Sequence, residues 1–571
     1  MSKRSRRTTA RIAQIQAARL TRLAPFLVAA VTLLAFLPVL SNGFVAWDDD
    51  KNFLDNTNYR GLGLAQLGWM WSTFHLGHYV PLSWMSLGLD YVLWGMNPVG
   101  YHLTNLILHA VNAVLVYHLA RRLFGLADPA GQDGSVRDVW AAVAAALLFS
   151  IHPLRVESVA WATERRDVLS CLFFLSSILA YLRAVERGSR RDYLLGILAF
   201  ACALLSKATA VTLPAVLLVL NVYPLKRVGG TIGWTSTAAR SVYREIAPFA
   251  ALAAVAAAMT FVALQHLEQL TLGAKLAVSA YSVAFYLLKT AVPTSLSPLY
   301  EMPSSVEPFG ATYLAAYAVV VALAAIVWTY RRRTPALAAA AVAFIVVLFP
   351  LLGLVQNGPQ IAADRYTYYA APALTILAAG VLARLSRARV AFLAASVAIA
   401  ALGALTWRQT MVWHDSGSLW AQVLRVQPQS SIARNNEGNV LMREGRFAEA
   451  VEQYEQAVTL APRYAEAHNN LGVALARMGR TTEAVDQYRR ALAIQPSYAQ
   501  AQNNWGIVAV QQGNAEEAME HYRLALAINP TSADAHTNWG NALVRLGRPA
   551  EAVPHYEEAV TLQPNHADAH L

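Results

Sequence analysis

Charge is what this sequence has least of: Asp, Glu, Lys and Arg make up 14% of its 571 residues, against about 25% in an ordinary soluble chain. That scarcity excludes a single soluble globule. The Leu/Val/Ala-rich runs between 23 and 407 exceed what one water-soluble core can enclose, whereas a bilayer accepts them as helices of about 20 residues. Cysteine is nearly absent. Cys171 and Cys202 both lie in apolar runs, have no metal-ligand spacing and carry no redox information. No GxGxxG or GxxxxGK[ST] loop occurs, which argues against a soluble nucleotide-sugar enzyme and against an ATP-driven transporter built from this chain alone. No A-x-A-like cleavage site follows the first apolar run, so that run reads as an uncleaved first span.

What is present changes character along the chain. The formal charge of +11 is not a nucleic-acid footprint, because its placement follows the membrane. Lys3, Arg4, Arg6, Arg7, Arg11, Arg19 and Arg22 precede the first apolar run, and later basic clusters sit at the ends of later runs. Apolar segments at 23–41, 101–120, 139–153, 168–185, 192–206, 209–224, 246–266, 309–330, 335–355, 368–384 and 390–407 read as spans, about eleven in all. Segment 275–292, bounded by Lys275 and Lys289, reads as an interfacial or re-entrant helix. The positive-inside rule then puts the N-terminus in the cytoplasm, and segments 42–100 and 267–308 and the C-terminus outside. Residues 1–22 form a cytoplasmic basic tail, 23–407 the membrane domain, 408–430 a junction with a degenerate half-repeat, and 431–571 a repeat array.

The array announces itself by period. Pro428, Pro462, Pro496, Pro530 and Pro564 are spaced by 34, as are Gly438, Gly472, Gly506 and Gly540, and Tyr454, Tyr488, Tyr522 and Tyr556. Small residues where paired helices cross, an aromatic knob and a terminating proline at this period are the tetratricopeptide signature. Four full repeats and a C-terminal partial one are expected, beginning almost directly on the last span.

Three consecutive carboxylates, Asp48, Asp49 and Asp50, stand at the membrane face in NGFVAWDDDKNFLDN. Taken alone, they read as a solvated loop with helix-capping aspartates. This loop, IHPLRVESVAWATERRDVLS at 151–170, LLSKATAVTLP at 204–214, AADRYTYYAAP at 362–372 and the terminal array together resemble the transmembrane tetratricopeptide proteins related to protein O-mannosyltransferases. Arg155 stands where relatives carry a His, and Ala208 follows Lys207 where Pro is frequent.

The resemblance implies an all-α GT-C-like membrane domain followed by an α-solenoid. It also implies transfer of mannose or a related hexose from a polyprenyl-phosphate carrier to an extracytoplasmic acceptor, with protein Ser/Thr as first choice. The alternatives are a glycolipid or cell-wall polymer as acceptor, or a non-catalytic membrane scaffold. In such proteins the first extracytoplasmic loop supplies the catalytic carboxylate. The paired position corresponds to Asp48 and Asp49, with Asp49 favoured as base and Asp48 given an orienting or metal-binding role; the metal requirement stays open. Arg365, Lys207, Arg165 and Arg166 fall outside against the positive-inside preference, and are the candidates for the donor phosphate. Glu164 and Asp167 could instead pair with those arginines, and His152 is a weaker supporting residue. Finally, Asn436, Asn470, Asn504 and Asn538 stand two residues before each repeat glycine. This row resembles the asparagine ladder that holds substrate peptides in nucleocytoplasmic O-GlcNAc transferases, and it is the expected peptide-binding line; the other reading is that Asn suits the helix junction.

Overall fold

The computed structural model describes residues 3–128, 136–263, 270–354, 358–385 and 388–563. The chain forms two compact units, Met1–Leu419 and Trp420–Leu571. Both are helical, and among the described residues the only strands are Tyr300–Glu301 and Gln360–Ala362, an antiparallel pair.

In the first unit each of the eleven apolar segments contains a helix. The seventh and ninth run at their ends into 264–266 and 355, outside the described residues. Among the described residues five helices are long and apolar enough to cross a bilayer, and six if Val136–Ser150 and Pro153–Ala160, bent by 57°, count as one span. The rest are shorter or less apolar. Pro335–Leu348 and Ala371–Arg384 are 14 residues each, about 21 Å at 1.5 Å per residue, less than the ~30 Å hydrocarbon core. Segment 275–292 becomes a 20-residue helix, Leu272–Ala291, which is not among the five.

Around an apolar interior, many large apolar side chains also face outward. Trp328 is 67% exposed and Phe261 78%, side chains that water would drive inward but lipid solvates. Polar side chains lie inside as well. His109 Nδ1 meets the Tyr368 hydroxyl at 2.6 Å and its Nε2 the Ser150 carbonyl at 2.9 Å, while Asn112 Nδ2 donates to the Val168 carbonyl at 2.8 Å. Those bonds tie helix Pro98–Ala127 to Val136–Ser150 and Arg165–Arg187, and buried polar groups are tolerated only when so paired.

In the second unit four helix pairs follow one another: Ser431–Arg443 with Phe447–Leu460, Ala465–Arg477 with Thr481–Ile494, Ala499–Gln511 with Ala515–Ile528, and Ala533–Arg545 with Pro549–Leu562. Pro564 and the partial repeat after it lie outside the described residues. The repeat columns now have causes. A Cβ on Gly472 would stand 2.6 Å from Cε1 of Tyr488, and the same approach recurs at Gly438, Gly506 and Gly540. The tyrosine ring fills the place a side chain would take. Gly472→Ala is therefore expected to destabilise the repeat unit by about 1–3 kcal/mol, as overpacking does. The thermal midpoint of 420–571 checks this, at roughly 2–4 °C per kcal/mol; an unchanged midpoint would show that the ring moves freely.

Candidate active site

Asp48 and Asp49 are adjacent in sequence and sit in different surroundings. Asp48 adopts φ +69°, a left-handed conformation that short polar side chains tolerate, just before the helical turn Asp50–Leu54. Asp49 is wholly buried. Its Oδ1 accepts from the Thr163 amide at 3.0 Å and the Thr163 hydroxyl at 2.6 Å, and its Oδ2 from the Val45 amide at 3.1 Å. Burial pushes its pKa up to about 7 against the opposing pull of those donors. Asp48, by contrast, lines a cavity of about 220 Å³ together with Asn52, His75, His78, Thr163 and Arg166. Its pKa is also raised by burial, with Arg166 and Lys51 pulling the other way. The sequence reading favours Asp49 as base with Asp48 in an orienting role; in the structure both Asp49 oxygens accept bonds inside the protein, and it is Asp48 that lines the cavity.

Beside Asp48 three cations converge on one carboxylate. Glu164 Oε1 takes Arg166 at 2.8 Å and the Arg365 Nε at 3.3 Å, and its Oε2 takes Lys207 at 2.7 Å. Lys207 also reaches Asp167 at 2.8 Å. Arg365 is gripped by Glu157 through a side-chain ion pair and through its own amide at 2.8 Å, and lies over the Trp161 ring at 5.3 Å. The strand pair delivers it, since Asp364–Thr367 begins two residues after Gln360–Ala362. Glu164 has no exposed side-chain area, while Arg166 and Lys207 each keep 16% and Arg365 keeps 10%. The carboxylate is thus the inner hub, and the cations retain the outer surface on which an anion could land. Among the described residues no three His, Cys, Asp or Glu side chains converge as a metal-ligand set.

Two expected residues do not join this group. Arg165 points elsewhere, to Asp90 at 2.6 Å, the Tyr101 carbonyl and Ser86 at 2.8 Å, and the Asn105 amide oxygen. With no exposed area and its guanidinium held on all sides, it is engaged inside the protein and lies apart from the Glu164 group to which the sequence reading joined it. His152 bonds the Thr290 carbonyl with Nε2 at 3.1 Å and accepts from the Leu154 amide with Nδ1 at 3.3 Å. Both its ring nitrogens are thus used at the turn before Pro153–Arg155, apart from the Glu164 group. Sequence reasoning missed Thr163 and Glu157. Thr163 stands in the WATERRD motif already singled out, and no spacing rule marks either residue as a partner of a loop more than a hundred positions away.

The asparagine row of the repeats also has internal partners. Asn470 Nδ2 donates to Asn435 at 3.0 Å, Asn504 to Asn469 at 3.0 Å and Asn538 to Asn503 at 3.0 Å, each bond 35 positions back. Asn436, at the start, donates to the Ile432 carbonyl at 2.9 Å. The row is therefore first a register device between successive repeats. A peptide would have to use the remaining amide valences.

Comparison with known proteins agrees with these two parts. Residues 82–229 match the family model described as dolichyl-phosphate-mannose-protein mannosyltransferase. That stretch includes Glu164, Arg166 and Lys207 and ends before Arg365, with Asp48 ahead of it. Tetratricopeptide-repeat models match 418–465, 435–499 and 533–566, and a further TPR-repeat model 506–547. The protein O-mannosyl-transferase Tmtc1 of Drosophila melanogaster is 33% identical over 191 residues, 32% of this chain and 21% of that protein. The human protein O-mannosyl-transferase TMTC1 is 33% identical over 29% of this chain and 18% of its own length, and mouse TMTC4 is 30% identical over 33% and 28%. The similarity thus spans 18% to 28% of the length of those relatives. Among solved structures, MamA is 27% identical with a TM-score of 0.24, over 27% of this chain and 89% of its own. The chain carries a segment similar to the dolichyl-phosphate-mannose-protein mannosyltransferases followed by tetratricopeptide repeats, and its similar proteins include the protein O-mannosyl-transferases of the Tmtc group.

Proposed function

We propose that this chain is a membrane glycosyltransferase that moves mannose or a related hexose from a polyprenyl-phosphate carrier to a protein hydroxyl on the extracytoplasmic side. The observation that carries the reading is the placement of Asp48 on a cavity wall beside Arg166, with Lys207 and Arg365 gathered on the same Glu164. The chemistry needs those two parts. Asp48 takes the proton of the acceptor hydroxyl as its oxygen attacks the anomeric carbon. The bond from that carbon to the phosphate oxygen breaks, and its electron pair leaves with the polyprenyl phosphate. Arg166, Lys207 and Arg365 neutralise that charge as it grows. A phosphate leaves without a general acid, so one carboxylate suffices, and a single displacement inverts the anomeric centre. The repeat array, built of stacked helix pairs, presents the protein acceptor.

The test is transfer by the full chain in liposomes supplied with a polyprenyl-phosphate [14C]mannose and a Ser/Thr-rich peptide or protein. Labelled, inverted product on the hydroxyl is expected. Label appearing only from a nucleotide sugar, or reporters at 61–66 and after Gln563 facing opposite sides of the membrane, would overturn the reading.

A further inference from the structure

A second cavity in the first unit is lined by none of the residues around Asp48. It measures about 550 Å³, within the roughly 300–1,000 Å³ of small-ligand sites. It is walled by helices Pro98–Ala127, Arg165–Arg187, Leu213–Val222, Pro335–Leu348 and Ala371–Arg384. Its surface is almost wholly hydrocarbon, with Phe124, Phe174 and Ile376 facing alanines of Pro335–Leu348. Small residues there are what hold the wall back. A Cβ on Gly380, for instance, would meet Phe124 at 3.1 Å.

Charge enters at one end alone. Arg333 and Arg384 line that end, no carboxylate lines any part of the cavity, and Tyr369, which precedes helix Ala371–Arg384, lines it at the start of that helix. Neither arginine appears in an ion pair among the described residues, and the Arg384 guanidinium reaches only the Gly380 carbonyl, at 3.5 Å. The 14 residues of Ala371–Arg384 separate the two ends, about 20 Å at 1.5 Å per residue and more than the ~15 Å half-thickness of the hydrocarbon core.

We propose that this cavity is a binding site for one anionic phospholipid, its acyl chain among the five helices and its phosphate on Arg333 and Arg384, in the leaflet opposite the Asp48 site. Charge complementarity selects the occupant. A zwitterionic lipid gains little from two cations, and a carrier whose phosphate sits at Arg365 would bring bare hydrocarbon to them. A pair of guanidiniums at a membrane face suits a phosphodiester, which each can grip through two N–H groups. The lipid would brace Pro335–Leu348 against Ala371–Arg384, the helix that follows directly on Arg365, without touching the reacting atoms.

The experiment is native mass spectrometry of the full chain transferred from nanodiscs of equimolar phosphatidylglycerol and phosphatidylcholine. One phosphatidylglycerol retained in preference is expected. Arg333→Gln and Arg384→Gln should each weaken its retention about fivefold, at about 1 kcal/mol for each basic side chain near the surface. Both arginines are exposed, so neither change should disturb folding, which a thermal midpoint in lipid-free detergent checks. Equal retention of the two lipids, retention insensitive to both substitutions, or one-for-one displacement of phosphatidylglycerol by a polyprenyl phosphate would overturn the proposal, the last by assigning the cavity to the carrier's tail.

Discussion

Asp48→Asn is expected to lower sugar transfer by about 10²-fold or more, the usual worth of a general base, in a protein that still folds. Asp49→Asn is expected to act on stability instead. A carboxyl whose folded pKa is raised from 3.8 to about 7 binds more protons folded than unfolded. Its contribution is therefore complete below about pH 4 and is lost as pH rises towards 7. The midpoint of the parent protein should fall between pH 5 and 7.5, and that part of the fall should be missing in Asp49→Asn. The two neighbours thus separate by rate, since Asp49→Asn should keep the transfer that Asp48→Asn loses. Activity lost in Asp49→Asn at unchanged stability, and kept in Asp48→Asn, would return the base to Asp49. Activity surviving both changes would remove this loop from the chemistry altogether.

The parts of this molecule that were legible in the sequence are those where one physical constraint repeats. Gly472 and Tyr488 recur at intervals of 34 because one ring must fill one gap in every helix pair, and apolar runs recur because lipid solvates helices one way. The asparagine column was equally visible, but its partner was not. A donor reaching 35 positions back to a second asparagine leaves no mark that separates a register device from a peptide ladder. The number of spans is less legible than the helices themselves, for a different reason. Helices such as Leu213–Val222 and Ala371–Arg384 stop short of a bilayer's thickness, and hydropathy does not reveal where a polar contact such as the one on Lys207 ends a helix. At the site, the motifs single out residues that the structure gathers around Glu164, and leave the individual roles unresolved. Asp48 and Asp49 differ by one residue of chain and by the sign of φ at Asp48, which depends on the loop's packing against Thr163.

Arg165 and Arg166 show the same limit and lead to the second large expected effect. They open helix Arg165–Arg187, where successive side chains diverge by about 100°, so one must turn inward as the other faces the cavity. Arg165→Met should cost about 3–5 kcal/mol, the usual penalty for leaving one member of a buried pair alone, because Asp90, 3% exposed, would lose its partner. Misfolding or a sharply lower midpoint is the expected readout, and activity of whatever folds should be near normal. Arg166→Met leaves Glu164 with Lys207 and Arg365, so the fold should persist. What it removes is a cation on the cavity wall beside Asp48, and loss of transfer with a weaker dependence on the carrier phosphate is expected. Kinetics against donor concentration, run beside thermal unfolding, separate the two. A stable, inactive Arg165→Met would show that this arginine reaches the donor after all, and an active Arg166→Met would take the cavity cation out of the mechanism.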